Sequence, residues 1–254
     1  MSETRKKQLK EVHDTIANQL NASDLRQLET MGKHVVAMEA DFAKVHACIK
    51  IFDGLGVVLD GNRQVIRLAP EWISLHEEYT FLMNKSQENA TVLNVKIQEL
   101  LDVFLPSTAS AGNKEIKFDE YIVGLEEFYR TGTNNVNRFS RLRENVAAFQ
   151  EKLHDITPSQ TASVKEQLKN LDADIHKLVE EIREPAKFLG ESWYNHAIKL
   201  REGLVKVNKP AVLKGNTDDD ELEAFTRLRM RSLKNVYFAL QETLNTYALS
   251  VAQA

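Results

Sequence analysis

The chain has 254 residues, 43% hydrophobic and 28% charged, enough to bury one large core or two small ones. Its 33 basic and 37 acidic side chains leave a net charge of −4, which excludes a global field that would recruit nucleic acid or an acidic membrane. Only 10 glycines and 5 prolines interrupt a composition rich in helix formers, so the expected class is all-α; Cys48, the sole cysteine, excludes an intramolecular disulfide and argues against a thiolate zinc site.

The opening segment "MSETRKKQLKEVHDTI" is charged and lacks the apolar core and small-residue cleavage site of a signal peptide. No stretch approaches the ~18 consecutive apolar residues of a transmembrane helix. A cytoplasmic protein is expected, with non-classical secretion left open. Leu9, Val12, Ile16 and Leu20 predict a first helix that stops near Asn21, Ser23 and Asp24, residues of turn and N-cap chemistry. Leu28, Met31, Val35, Met38, Phe42, Val45, Ile49 and Phe52 then alternate by three and four, a seam that faces another helix at a shallow angle.

Gly54 and Gly56 are expected to end that helix. Between Asp53 and Pro70 the chain reads "DGLGVVLDGNRQVIRLAP", with apolar Val57, Val58 and Leu59, a reverse-turn signal at Asp60-Gly61-Asn62, and apolar Val65, Ile66 and Leu68. A short β-hairpin over 57–68 is the first expectation; an irregular loop that plugs the end of a bundle is the alternative. A lone hairpin is marginal in water, so this segment must lean on the bundle, a second chain or a lipid surface.

Pro70 suits the first turn of the next helix, whose seam runs through Trp72, Leu75, Tyr79 and Leu82, meets the polar Ser86 and Asn89, and resumes at Leu93, Ile97, Leu100 and Phe104. Pro106 and "STASAGNK" predict a flexible linker near 106–114. Phe118, Tyr121, Leu125, Phe128, Gly132, Asn135, Phe139, Leu142, Val146, Phe149, Leu153 and Ile156 keep the alternation, with "TGTNN" at 131–135 as a kink or a break. Pro158, with Thr157 as N-cap, predicts a new helix bearing Val164, Leu168, Leu171, Ile175, Leu178 and Ile182. Pro185 interrupts or kinks it before Phe188, Leu189, Trp193, Ala197, Leu200 and Leu204. A loop over 208–219 leads to a last helix with Leu222, Phe225, Leu233, Val236, Leu240 and Tyr247 on its core face. Together these predict one elongated antiparallel bundle over 1–254, of about five or six long helices with heptad seams.

Residues with chemical potential are few. A di-iron bundle site needs two Glu-x-x-His pairs and further carboxylates, and only Glu151-x-x-His154 matches. Asp172, His176 and Glu180 share a helix face, where solvated charge pairing is the better expectation than a metal. There is no Gly-x-Ser-x-Gly, no Gly-Lys-Ser/Thr, and no dinucleotide fingerprint around Gly54-Leu55-Gly56. Cys48 and His46 point to different faces. No cofactor, metal or catalytic residue is therefore assigned. Basic residues gather at Arg138, Arg141 and Arg143, and a weak basic patch is formed by Arg227, Arg231 and Lys234 at i, i+4 and i+7; pairing with neighbouring acidic helices is preferred to phosphate binding, and nucleic acid is disfavoured.

The leading functional expectation is a non-enzymatic, coiled-coil-like helical protein that acts in protein–protein interaction, self-association or assembly. The contact surface is placed at Gly54, Gly56, Val57, Val58, Leu59, Val65, Ile66 and Leu68. The alternative is a membrane-interacting protein. In organisation, with Val57 to Leu68 as an apolar hairpin between long helices, the chain resembles soluble forms of α-helical pore-forming toxins of the cytolysin A type. That resemblance implies membrane contact by the hairpin, but Asp60, Arg63 and Arg67 interrupt it, and a spanning strand needs about nine to eleven residues, so contact is limited to the headgroup region. BAR domains, membrane-curving dimers, are similar in length and helicity; their few, very long helices fit poorly with the glycine and proline breaks here.

Overall fold

A computed structural model describes residues 22–99, 111–183 and 241–252. They form five helices: α1 (Ala22–Leu55), α2 (Ala69–Glu99), α3 (Ala111–Ile156), α4 (162–183) and α5 (241–252). The all-α expectation holds. The helices expected around Leu9–Leu20 and Phe188–Leu204 lie outside the described residues, as does the kink at Pro185.

The seams become the core. Met31, Val35, Met38, Phe42, Val45, Ile49 and Phe52 of α1 are all buried, and so are Trp72, Leu75, Tyr79 and Leu82 of α2, Phe139, Leu142, Val146, Phe149 and Leu153 of α3, and Leu168, Leu171, Ile175, Leu178 and Ile182 of α4. An alternation of three and four keeps one side of a 3.6-residue helix turned to its neighbours, and these rows do that. One position departs from the expected spacing. After Ser86 the buried residue is Ala90, not Asn89, so that two steps of four follow each other from Leu82. The extra step rotates the apolar row and spares the Asn89 amide from burial, which would demand partners for each of its polar atoms.

Three further expectations are corrected. "TGTNN" does not break the helix in two: α3 is continuous over 46 residues. Thr and Asn cost under ~1 kcal/mol each inside a helix and Gly132 about 1 kcal/mol, less together than the buried seam that follows contributes. Thr157 is not the N-cap of the next helix; its hydroxyl donates backwards to the Leu153 carbonyl at 2.6 Å, closing the end of α3, and a 3₁₀ turn over Thr157–Ser159 precedes α4. Of the linker expected near 106–114, residues 111–114 form the first turn of α3, while 106–110 lie outside the described residues.

Packing divides the expected single domain into two compact units. One holds Met31–Ser86, Asn134–Gly190 and Ser250–Ala254; the other holds Met1–Thr30, Gln87–Thr133 and Glu191–Leu249. In the first, α1, α2, α3 and α4 make a closed ring of antiparallel neighbours. Tyr79 Oη donates to the Val35 carbonyl at 3.0 Å and Trp72 Nε1 to the Phe42 carbonyl at 3.2 Å, so one heptad of α2 runs against one heptad of α1 in the opposite direction. Lys152 pairs with Glu71 at 2.5 Å and Arg138 with Glu78 at 2.8 Å, joining α3 to α2. Asp172 accepts from Gln150 at 2.9 Å and pairs with His154 at 2.7 Å, joining α4 to α3. Lys44 with Asp174 at 2.6 Å and Lys177 with Asp41 at 2.5 Å complete the ring between α1 and α4.

At the centre is an aromatic layer. The Phe42 ring stacks on Tyr79 at 4.6 Å and lies 5.3 Å from Trp72, whose ring meets Phe149 at 5.2 Å. Such pairs add ~0.5–1.5 kcal/mol each beyond the area they bury. In the second unit, Ala90, Leu93 and Ile97 of α2 are buried together with Tyr121 of α3 and Leu244 and Tyr247 of α5. Gln241 of α5 donates to the Asn94 carbonyl at 3.3 Å and to Gln98 at 2.9 Å, and Lys96 lies 5.7 Å above the Tyr121 ring.

Candidate functional site

The segment between α1 and α2 is the longest departure from helix among the described residues of the four-helix unit. Gly56 closes α1: its φ of +60° is the left-handed conformation that costs a glycine nothing, and its amide donates to the Phe52 carbonyl at 3.0 Å. Gly54 stays inside α1, contrary to its expected role as a terminator, with nothing within 4 Å of where a Cβ would stand.

No strand forms among the described residues. The expected hairpin is reduced to one antiparallel bridge between Leu59 and Val65, flanked by the Ile66 amide donating to the Val58 carbonyl at 2.9 Å. The turn lies at the predicted place but is built differently. Asp60 Oδ1 receives the amides of Asn62 and Gln64, both at 2.8 Å, and the left-handed residue is Arg63, with φ of 62°, not Gly61. A side chain that takes two local amides sets the turn without help from the glycine.

Two polar residues that periodicity did not single out for this role hold the segment down. Asp53, the buried carboxylate in the last turn of α1, accepts the Leu68 amide on Oδ1 and the Ala69 amide on Oδ2, both at 2.9 Å. These are orphan donors at the start of α2, so the end of one helix supplies the N-terminal cap of the next. Gln160, in the turn between α3 and α4, treats Leu59 as a strand neighbour would: the Leu59 amide donates to Oε1 at 3.1 Å, and Nε2 donates to the Leu59 carbonyl at 2.6 Å. The cover of the segment is thus its own chain, 101 residues away.

The sequence-assigned contact residues separate into two sets. Val58 and Leu68 are buried in the unit's core, and Gly56, Val57, Leu59 and Ile66 are half-buried. Gly54 and Val65 are exposed, Val65 at 47%. Beside them stand two aliphatic residues of the last turns of α1 that were not assigned, Ile51 at 61% exposure and Leu55 at 68%. In the seam register Ile51 falls opposite Ile49, whereas Leu55, three residues beyond Phe52, lies at the edge of the seam where α1 ends. The patch of Arg227, Arg231 and Lys234 lies outside the described residues.

The other unit has its own outward aliphatic side chains. On α2, Val92 and Val95 stand one turn apart, away from the buried row of Ala90, Leu93 and Ile97, with Val95 60% exposed; Leu249 on α5 is 63% exposed.

Groups with potential chemistry are occupied structurally. Arg138 forms a two-pronged bond to Glu78, at 2.9 and 2.8 Å, with its guanidinium 4.0 Å above Phe81. Arg143 donates to the Val179 carbonyl at 3.2 Å and faces Glu180 at 3.7 Å. Asp172 is shared between His154 and Gln150, and His76 bonds Glu39 at 2.7 Å while stacking on Phe42. Among the described residues no three His, Cys, Asp or Glu side chains converge to hold a metal ion, and no helix is long and apolar enough to cross a membrane. The hydrogen bond to Asp174 raises the Lys44 pKa, and that to Asp41 raises the Lys177 pKa. Comparison with known families, curated proteins and solved structures finds no match to this chain.

Proposed function

We propose that the protein is a non-enzymatic helical interaction module that acts by assembling with other copies of itself or with a protein partner. The supporting observation is the exposure of large aliphatic side chains on the second unit, Val92 and Val95 on α2 and Leu249 on α5. Aliphatic side chains left in water on a helix whose opposite row is fully buried gain most by meeting a second apolar surface. The employment of His154, Asp172, Arg138 and Arg143 in bonds that tie helices together supports a structural use of the polar residues in the four-helix unit.

Light scattering of the full chain tests this. Assembly predicts a mass above the 28.9 kDa of one chain that rises with concentration. Val95→Lys combined with Leu249→Lys, both surface changes, is expected to return the mass to that of one chain without altering the helical circular dichroism. A wild-type mass of 28.9 kDa at every concentration, with no partner retained, removes the proposal.

A further inference from the structure

The tip of the four-helix unit sorts its charges. Of the five charged residues from Lys50 to Arg67, both acids are turned onto backbone amides: Asp53 onto Leu68 and Ala69, Asp60 onto Asn62 and Gln64. The three bases, Lys50, Arg63 and Arg67, are all exposed. Ile51, Leu55 and Val65 are exposed among them, and a Cβ on Gly56 would lie 3.7 Å from the Val65 side chain, which places the end of α1 against the loop arm. In a chain with a net charge of −4 this segment, with three bases and two carboxylates, carries a net charge of +1, and its exposed side chains include the three bases and three large aliphatics.

We infer that this tip docks on an anionic phospholipid surface, with the basic side chains at headgroup phosphates and the aliphatic ones in the interface beneath. Basic and aliphatic side chains side by side are what binding at that boundary requires, since each lysine or arginine gains from the negative surface potential and each apolar side chain from leaving water. A second copy of the tip is disfavoured, because like charges would face each other. A peptide partner would need an enclosing groove, whereas Gly54 and Gly61 each have open space within 4 Å of a Cβ. The loop side of the tip makes the contact: on the α3 side Lys152 is already paired with Glu71, and Glu151 and Asp155 are exposed. The contact is peripheral and independent of the assembly proposed for the second unit.

Co-sedimentation of the full chain with vesicles decides the matter, using phosphatidylcholine alone and phosphatidylcholine with phosphatidylserine. Binding is expected only to the mixture, weakening as salt is added. The triple variant Lys50→Gln, Arg63→Gln, Arg67→Gln should bind about 100-fold more weakly, as each such charge is worth about fivefold near an anionic surface. Ile51→Ser, Leu55→Ser, Val65→Ser should weaken binding about tenfold or more. All six positions are exposed, so both variants should melt near the wild type. Val95→Lys with Leu249→Lys should still bind vesicles, whatever it does to assembly. The inference is overturned if neither vesicle pellets the protein, or if both triple variants pellet like the wild type. It is also overturned, in favour of an acidic protein partner, if polyglutamate displaces the protein from vesicles and the serine variant binds polyglutamate undiminished.

Discussion

Two regions of the four-helix unit, the aromatic layer and the tip above it, are fixed by opposite means. Phe42, Trp72, Tyr79 and Phe149 meet through ring faces and edges, contacts that are numerous, individually weak and tolerant of small shifts. The loop from Gly56 to Leu68 buries only Val58 and Leu68, and it is tied to the helices by two side chains, Asp53 and Gln160, through four hydrogen bonds of fixed direction to Leu59, Leu68 and Ala69. Loss of a ring contact is spread over neighbours. Loss of a polar peg leaves particular amides and carbonyls without a partner, and the effect stays local.

Truncation of the layer has the largest expected effect. Trp72→Ala should lower stability by ~3–5 kcal/mol in urea unfolding, since it removes the largest fully buried side chain among the described residues and empties space between three helices. Asp53→Ala comes next, at ~2 kcal/mol, because two amides at the start of α2 lose their acceptor; hydrogen exchange at Leu68 and Ala69 should quicken while amides beside Trp72 keep their protection. If exchange rises equally in both places, the separation between layer and tip is wrong. Gln160→Ala should cost ~1 kcal/mol, read as faster exchange at Leu59, with little change in helicity.

The paired glycines give a smaller effect with opposite signs. Gly56→Ala forces a Cβ into a left-handed residue and should destabilise by ~1 kcal/mol, whereas Gly54→Ala, in helix with open space around it, should stabilise by ~0.5–1 kcal/mol. Equal effects in thermal melts would mean that α1 does not end where it is placed. The smallest effect is at the rim. Because Lys44 and Lys177 have raised pKa values when folded, their contribution is complete below the ordinary lysine range and is lost as pH rises through the raised values, above about pH 10.4. A slight fall in melting temperature confined to that alkaline window is expected, abolished in Lys44→Met with Lys177→Met.

What was legible in the sequence follows the same division. Apolar seams announce themselves by period, and the rows from Met31 to Phe52 in α1 and from Leu168 to Ile182 in α4 are buried where the spacing puts them, with Val164 at the start of α4 half-buried. Period alone cannot tell Asn89 from Ala90, because both lie near the boundary of the buried arc; the cost of burying an amide decides it. Asp53 and Gln160 have no period at all. Each acts through one contact with a distant backbone, Gln160 across 101 residues, and nothing in a single sequence marks which polar residue among many faces inward. The tip was found by its glycines and turn residues, yet its interior and exterior were not separated: Val58 and Leu68 were grouped with Val65, although the first two support the core.

Asp53 also changes what the loop is for. Since its carboxylate ties the end of α1 directly to the first amides of α2, the geometry of that helix pair does not depend on the twelve or so residues strung between them. Lengthening such a connection costs only about 0.6 kcal/mol per doubling. Gly61, solvent-facing and with no neighbours within 4 Å of its Cβ position, is therefore a place where foreign sequence can be spliced in while the scaffold beneath keeps its shape.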